Sequence, residues 1–202
     1  MVMSLIAVTA LAAQCAPSVA PQTLLAVVRV ESGFDPLAIG VNGPKRAQLH
    51  PATAAEATAI AMRLIGQGQS IDLGLGQINS KNLSVLGMTI SDAFDACRNL
   101  AASARVLADG YHRMAPGLGE EQVALQASLS LYNTGDPSRG FHNGYVGKVL
   151  TAVRQVVPAA LPAGVPDKAA PLPEPPSWDV FGQAAATAAS FVISPAHFGK
   201  QP

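Results

Sequence analysis

The sequence predicts a mainly α domain over residues 1–157 and a proline-rich, largely disordered tail over residues 158–202. Three observations carry this. Apolar residues recur at spacings of three and four in several separate stretches, the period of one helix face. No stretch sustains the apolar and polar alternation of a half-buried strand. Seven prolines fall between Pro158 and Pro176, and they remove helix donors and favour extended, solvated chain. With 202 residues, 49% of them hydrophobic, the chain can bury a core in one domain and still carry an extension.

The first stretch, Met1 to Ala13, is rich in Ala and Leu like the core of a secretory signal, but the first basic residue is Arg29, so the charged start is missing. It is too short to span a bilayer, and no transmembrane segment is expected. Gln14 stands where a lipoprotein signal needs a small residue before Cys15. A helix over Pro21 to Glu31 follows. Leu24, Val27 and Val28 lie seven, four and three positions before Glu31, so helical geometry puts the acid on the apolar stripe. Burial penalises a charged carboxylate, which makes Glu31 a candidate proton donor near neutral pH. The alternative is that Glu31, close to the helix end at Gly33, turns out to water.

Thr53-Ala54-Ala55-Glu56 has capping-box form and opens a helix over about residues 53–65, closed by Gly66. Cys97, Leu100, Ala104, Leu107 and Tyr111 mark an amphipathic helix from about Asp92 toward Met114. Glu120 to Tyr132 forms another, with Gly135 as its stop. Gly144 to Val157 supplies the last, with Tyr145, Val149, Val153 and Val156 on one side.

Several functions are excluded by composition. Thirteen basic and thirteen acidic residues balance, leaving no field to attract nucleic acid or an anionic membrane. His50, His112, His142 and His197 make no i, i+4 pair and there is no Cys-x-x-Cys, so neither a metal nor another cofactor is expected. Gly74-Leu75-Gly76 starts like a dinucleotide loop, but Asn79 replaces the third glycine. No serine sits in a Gly-x-Ser-x-Gly turn. Cys15 and Cys97 each lie in an apolar stretch, as buried thiols or as one disulfide.

Four short segments remain in order: Glu31-Ser32-Gly33-Phe34-Asp35-Pro36, Gly74-Leu75-Gly76-Gln77-Ile78-Asn79, Leu131-Tyr132-Asn133-Thr134-Gly135 and Gly144-Tyr145-Val146. Together they resemble the signatures of lysozyme-like (SLT-type) lytic transglycosylases, over about residues 14–156. Cys15-Ala16-Pro17, Ala38-Ile39-Gly40 and the Cys97 to Leu100 neighbourhood are similar to the VirB1-like branch that accompanies type IV secretion systems. Gly76 replaces the usual methionine and Leu131 the usual alanine.

The resemblance implies a lysozyme-like domain in the periplasm that cleaves glycan strands of peptidoglycan between N-acetylmuramic acid and N-acetylglucosamine, with Glu31 as sole catalytic acid. Glycoside hydrolysis usually needs two carboxylates; a single acid suffices if the sugar's own C6 hydroxyl attacks, giving a 1,6-anhydro product. Gln77 and Asn79 bind the sugar's N-acetyl or hydroxyl groups, or hold their turn. Tyr132, with Asn133 beside it, positions the Glu31 carboxyl or the acetamido group, or is a core tyrosine. Ser32 orients Glu31 or finishes its helix, and Tyr145 is groove wall or core. Asp35 is expected to make a turn hydrogen bond. Asp72 stays open as a second carboxylate, which would give a hydrolytic muramidase. A non-catalytic glycan-binding assembly factor is a further rival. An exported location favours a Cys15 to Cys97 bridge. The tail is a solvated linker, or else it docks secretion components through Trp178 and Phe181.

Overall fold

The structure, a computed structural model, describes residues 2–44, 46–118 and 120–156. The tail from 158 onward, with Trp178 and Phe181, lies outside the described residues.

Two apolar cores share this domain. The first is helical. Helix α1 (Leu5–Cys15) is opened by Ser4, whose Oγ accepts from the Ala7 N–H at 3.2 Å. It buries Val8 and Ala12, so the signal-like run is here part of the core. Its last residue, Cys15, is bridged to Cys97 with Cα atoms 5.4 Å apart, which resolves the choice between thiols and disulfide. Helix α2 (Pro21–Ser32) starts on a proline, whose missing N–H costs nothing in a first turn. It stops at Gly33, whose φ of 61° lets its N–H return to the Arg29 carbonyl. Every residue from Thr23 to Val28 is buried, because α1, α5 (Ala96–Leu118) and α8 (Tyr145–Val156) surround it. Leu24, Val27 and Val28 meet Leu100, Leu107, Leu129 and Val149 in this core. Each such side chain contributes about 1.5–3 kcal/mol by leaving water. Helix α6 (Glu121–Thr134), ended by Gly135 at φ 71°, packs along α5. The short α7 (Arg139–His142) then leads into α8.

The second core adds to the mainly α domain a small sheet that no alternation in the sequence announced. Strands β1 (Ile39–Val41), β2 (Ala47–Leu49), β3 (Ile71–Leu73) and β4 (Ile78–Asn79) form an antiparallel sheet in the order β2-β1-β3-β4. Strands of two or three residues cannot display an alternation, which is why the sequence pattern conceals them. Ile39, Ile71, Leu73 and Ile78 pack against Ala57 and Ala61 of α3 (Ala54–Gly66), against Leu83 of the short α4 (Leu83–Leu86) and against Phe94. The Thr53 cap forms: its Oγ1 accepts from Glu56 N–H at 3.2 Å, while Glu56 Oε2 accepts from Ala52 N–H at 2.9 Å. The helix expected from Asp92 divides into a 3-10 turn, Asp92–Phe94, and α5, because Asp95 is extended at ψ 120°.

The cores meet along α5 and at the turn between β3 and β4. Leu100 and Leu107 serve the helical core and Ala102 the sheet core. Within the turn, Leu75 enters the helical core, while Leu73 and Ile78 on either side enter the sheet core. Among the described residues no helix is long and apolar enough to cross a membrane.

Candidate active site

The turn at this junction is held from three sides. Gly74 has a φ of +73°, and a Cβ there would lie 2.2 Å from the Ala93 carbonyl oxygen, so no other residue fits. Asn99, fully buried on α5, accepts from Gly76 N–H at 2.7 Å and donates to the Leu73 and Ala93 carbonyls at 2.9 and 2.8 Å. The Tyr132 hydroxyl donates to the Gly76 carbonyl at 2.7 Å. A Cβ on Gly76 would fall 1.9 Å from Ser103 Oγ. The position where the resemblance expects methionine therefore has no room for a side chain here. Gln77 takes a φ of 50°, a left-handed conformation that costs a non-glycine residue of order 1 kcal/mol. Its Nε2 donates to the Ala38 and Gly74 carbonyls at 3.1 and 2.9 Å.

Glu31, near the end of α2, is only partly exposed. The buried Tyr145, first residue of α8, donates its hydroxyl proton to Glu31 Oε1 at 2.5 Å. The role expected of Tyr132 toward Glu31 thus falls to Tyr145. The reason is positional: α8 packs against α2, whereas the end of α6 faces the Gly74 to Gln77 turn. Burial pushes the Glu31 carboxyl from 4.5 up to about 7, the Tyr145 hydrogen bond opposes the rise, and the charge of Asp72 adds to it. Burial foremost, and then the charge of Glu31, also pushes the hydroxyls of Tyr132 and Tyr145 up, so both remain donors.

Asp72 occupies the middle of β3, opposite Gly40 on one side and Asn79 on the other. Asn42 Nδ2 donates to its Oδ2 and Asn79 Nδ2 to its Oδ1, both at 2.7 Å. Burial raises the Asp72 carboxyl, while these two amides and the more distant Arg46 pull it back. Asn79 also donates to Ser70 Oγ at 3.1 Å, and its Oδ1 accepts from Lys81 N–H at 3.1 Å.

Ser32 is buried and its Oγ donates to the Val28 carbonyl at 3.3 Å, finishing the helix. Asn133 is exposed; its Oδ1 accepts from Asn143 Nδ2 at 2.9 Å, and Asn143 Oδ1 accepts from the Tyr145 N–H at 2.9 Å. Asn133 therefore steadies the start of α8. Asp35 accepts from Leu37 N–H at 3.1 Å in its turn, and its Oδ2 lies 2.7 Å from His50 Nδ1. The site thus brings together Glu31, Tyr145, Tyr132, Asp72, Gln77 and Asn79, and leaves Ser32 and Asn133 in supporting positions. Sequence reasoning missed Asn42 and Asn99. An asparagine beside Leu100 on the apolar side of a long helix was a legible signal of a buried polar clamp; Asn42 gave none.

An acid that keeps its proton near neutrality, oriented by a tyrosine beside a backbone-lined turn, is equipped to protonate a leaving oxygen. Comparison with known proteins places the chain in a family. Residues 9–152 match the transglycosylase SLT domain. Over 173 residues the chain is 44% identical to Protein virB1 of Agrobacterium fabrum, covering 85% of this chain and 69% of that one. Over 175 residues it is 39% identical to type IV secretion system protein virB1 of Brucella abortus, covering 82% and 73%. No solved structure gives a significant match. With a family match across most of the described domain and relatives aligned over most of their own length, this chain belongs to the SLT transglycosylase family.

Proposed function

We propose that this protein is a periplasmic lytic transglycosylase that cleaves the β-1,4 bond between N-acetylmuramic acid and N-acetylglucosamine and leaves a 1,6-anhydro end, opening the wall locally for a type IV secretion system. The observation that carries this reading is Glu31, held protonated to about 7 by burial and aimed by Tyr145. The relatives named for type IV secretion support the setting, and the Cys15 to Cys97 bridge suits an oxidising compartment.

Glu31 gives its proton to the glycosidic oxygen as the bond to the anomeric carbon breaks. The C6 hydroxyl of the same muramic acid residue then adds to that carbon and returns a proton to the Glu31 carboxylate. One residue acts as acid and then as base, and no water is consumed. The Tyr145 hydroxyl stabilises the carboxylate formed between the two transfers. The domain over residues 1–157 carries this activity, and the tail from 158 onward serves association with secretion components through Trp178 and Phe181.

Mass spectrometry of the products from purified peptidoglycan tests the reading. Wild type should release 1,6-anhydro muropeptides, and Glu31→Gln, which keeps the shape but not the transferable proton, should be slower by about a hundredfold or more. Reducing ends would show hydrolysis instead. A folded Glu31→Gln protein with wild-type turnover would remove the assignment altogether.

A further inference from the structure

The reaction just described leaves Asp72 without a role, although its surroundings are specific. It lies between Ile71 and Leu73, which are buried in the sheet core, so the alternation of a strand sends its side chain to the opposite face. Across the ladder stands Gly40, where a Cβ would come within 3.6 Å of Asp72 Cβ and 2.7 Å of Gln77 Oε1. Glycine keeps that face open. Each carboxylate oxygen receives one amide N–H at 2.7 Å, from Asn42 and from Asn79. Such donors stabilise the ionised form. Among the described residues no basic side chain forms an ion pair with Asp72. Burial leaves the Asp72 carboxyl above the usual carboxylate range, but the two amide N–H groups are already in place to solvate its anion when positive charge develops beside it. Glu31 is near enough for that charge to strengthen its hold on its proton. Two neighbouring acids in unlike surroundings, Glu31 under one tyrosine hydroxyl and Asp72 under two amide N–H groups, are the arrangement that divides acid from charge-stabilising duty.

Resting on the reading that the chain cleaves glycan through Glu31, we propose that Asp72 is a second catalytic carboxylate, whose anion stabilises the positive charge that develops at the anomeric carbon. Glu31 protonates the glycosidic oxygen, the carbon–oxygen bond breaks with its electron pair on that oxygen, and the resulting cation is held against the Asp72 carboxylate. The C6 hydroxyl oxygen then bonds to the anomeric carbon and its proton passes to Glu31. Asp72 ends the cycle unchanged. Its participation is therefore independent of whether the C6 hydroxyl or water completes the reaction, and an anhydro product does not argue against it.

The test compares full-length wild type, Asp72→Asn, Asp72→Ala and Glu31→Gln on purified peptidoglycan, with thermal melting to verify folding. Asp72→Asn should turn over about a hundredfold or more slowly, the usual loss when one preorganised charge stabiliser is removed. Its activity should also disappear at lower pH than that of wild type, because Glu31 loses a neighbouring negative charge and releases its proton more readily. Azide should restore part of the Asp72→Ala rate and yield a glycosyl azide, its nitrogen bonding to the anomeric carbon as the leaving oxygen takes the Glu31 proton. A folded Asp72→Asn protein within about threefold of wild type overturns the proposal. So does a slow variant with an unmoved pH limb and no azide product, since that is the behaviour of a merely structural residue. If Asp72→Asn fails to fold, Asn42→Ala takes its place: a loss on the order of tenfold supports the proposal and an unchanged rate overturns it. Wild type that leaves glycan intact, or Glu31→Gln that cleaves it normally, overturns the parent reading and this one with it.

Discussion

Replacing Glu31 by glutamine is expected to stabilise the folded domain in mild alkali and to leave its stability unchanged in acid. The folded carboxyl holds its proton up to about 7, against 4.5 for the ordinary group. Below 4.5 both states are protonated and the group takes nothing from stability. As pH rises through the interval the unfolded chain ionises freely while the buried carboxyl resists, so the folded state loses ground until its own carboxyl ionises. The gap is worth about 3 kcal/mol once both states are ionised. Glutamine fills the same space and has no such penalty. Urea unfolding of wild type and Glu31→Gln from pH 4 to pH 8 should give coincident midpoints at the acid end and curves that part steadily toward neutrality, corresponding to roughly 6–12 °C in melting temperature for a domain of this size. Other titrating groups are common to both proteins and largely cancel. A stability difference that stays constant with pH would refute the argument that burial governs this acid, and with it the reason for treating Glu31 as protonated.

Tyr145→Phe should push the Glu31 carboxyl further up, because the hydroxyl at Oε1 favours the anion; the alkaline limb of activity should move to higher pH while the rate falls on the order of tenfold. A limb that moves down would mean the hydrogen bond works in the opposite sense. Removing the bridge by Cys15→Ser with Cys97→Ser should cost about 2–4 kcal/mol, measurable by denaturant unfolding, and should free α1 first by hydrogen exchange. Truncation after Val157 should leave glycan cleavage within about twofold of the full chain, whereas Trp178→Ala with Phe181→Ala should alter only pull-down of secretion components. Native helicity with little activity in the truncated protein would show that the tail completes the site.

The helices were legible because each is long enough to show its period and is punctuated by residues that the backbone requires at its ends. Thr53 caps one start, and Gly33 and Gly135 take left-handed conformations at two ends. Glu31 was legible for the same reason, since its stripe runs back through about two turns of buried neighbours on α2. The sheet was not, because strands this short are defined by partners distant in sequence: Ile39 pairs with Leu49 and Leu73, and neither pairing leaves a local trace. The exchange of Tyr132 and Tyr145 has a similar origin. Both are tyrosines in recognisable motifs, and only the packing of α8 against α2 decides which one reaches the acid.

That long-range geometry also alters what the amide residues offer a sugar. Both Gln77 Nε2 hydrogens are engaged, on Ala38 and Gly74, as are both Asn79 Nδ2 hydrogens, on Ser70 and Asp72, while Asn79 Oδ1 is taken by Lys81. Asn79 is therefore largely engaged in holding the sheet edge and Asp72, with only a second lone pair on its Oδ1 left to offer. Gln77 differs, because among the described residues its Oε1 has no donor, and Gly40 leaves the space in front of it clear. A side chain pinned at its nitrogen and open at its oxygen is a fixed acceptor, suited to an N-acetyl N–H or a hydroxyl and unsuited to a carbonyl. Its left-handed backbone, sustained by the same two hydrogen bonds, fixes the direction in which that oxygen points. Substrate orientation at this position then rests on a donor from the sugar. Gln77→Glu, which keeps the oxygen but surrenders the pinning N–H groups, should impair glycan binding, measured by sedimentation with purified peptidoglycan, more than a simple gain of acceptor charge would suggest.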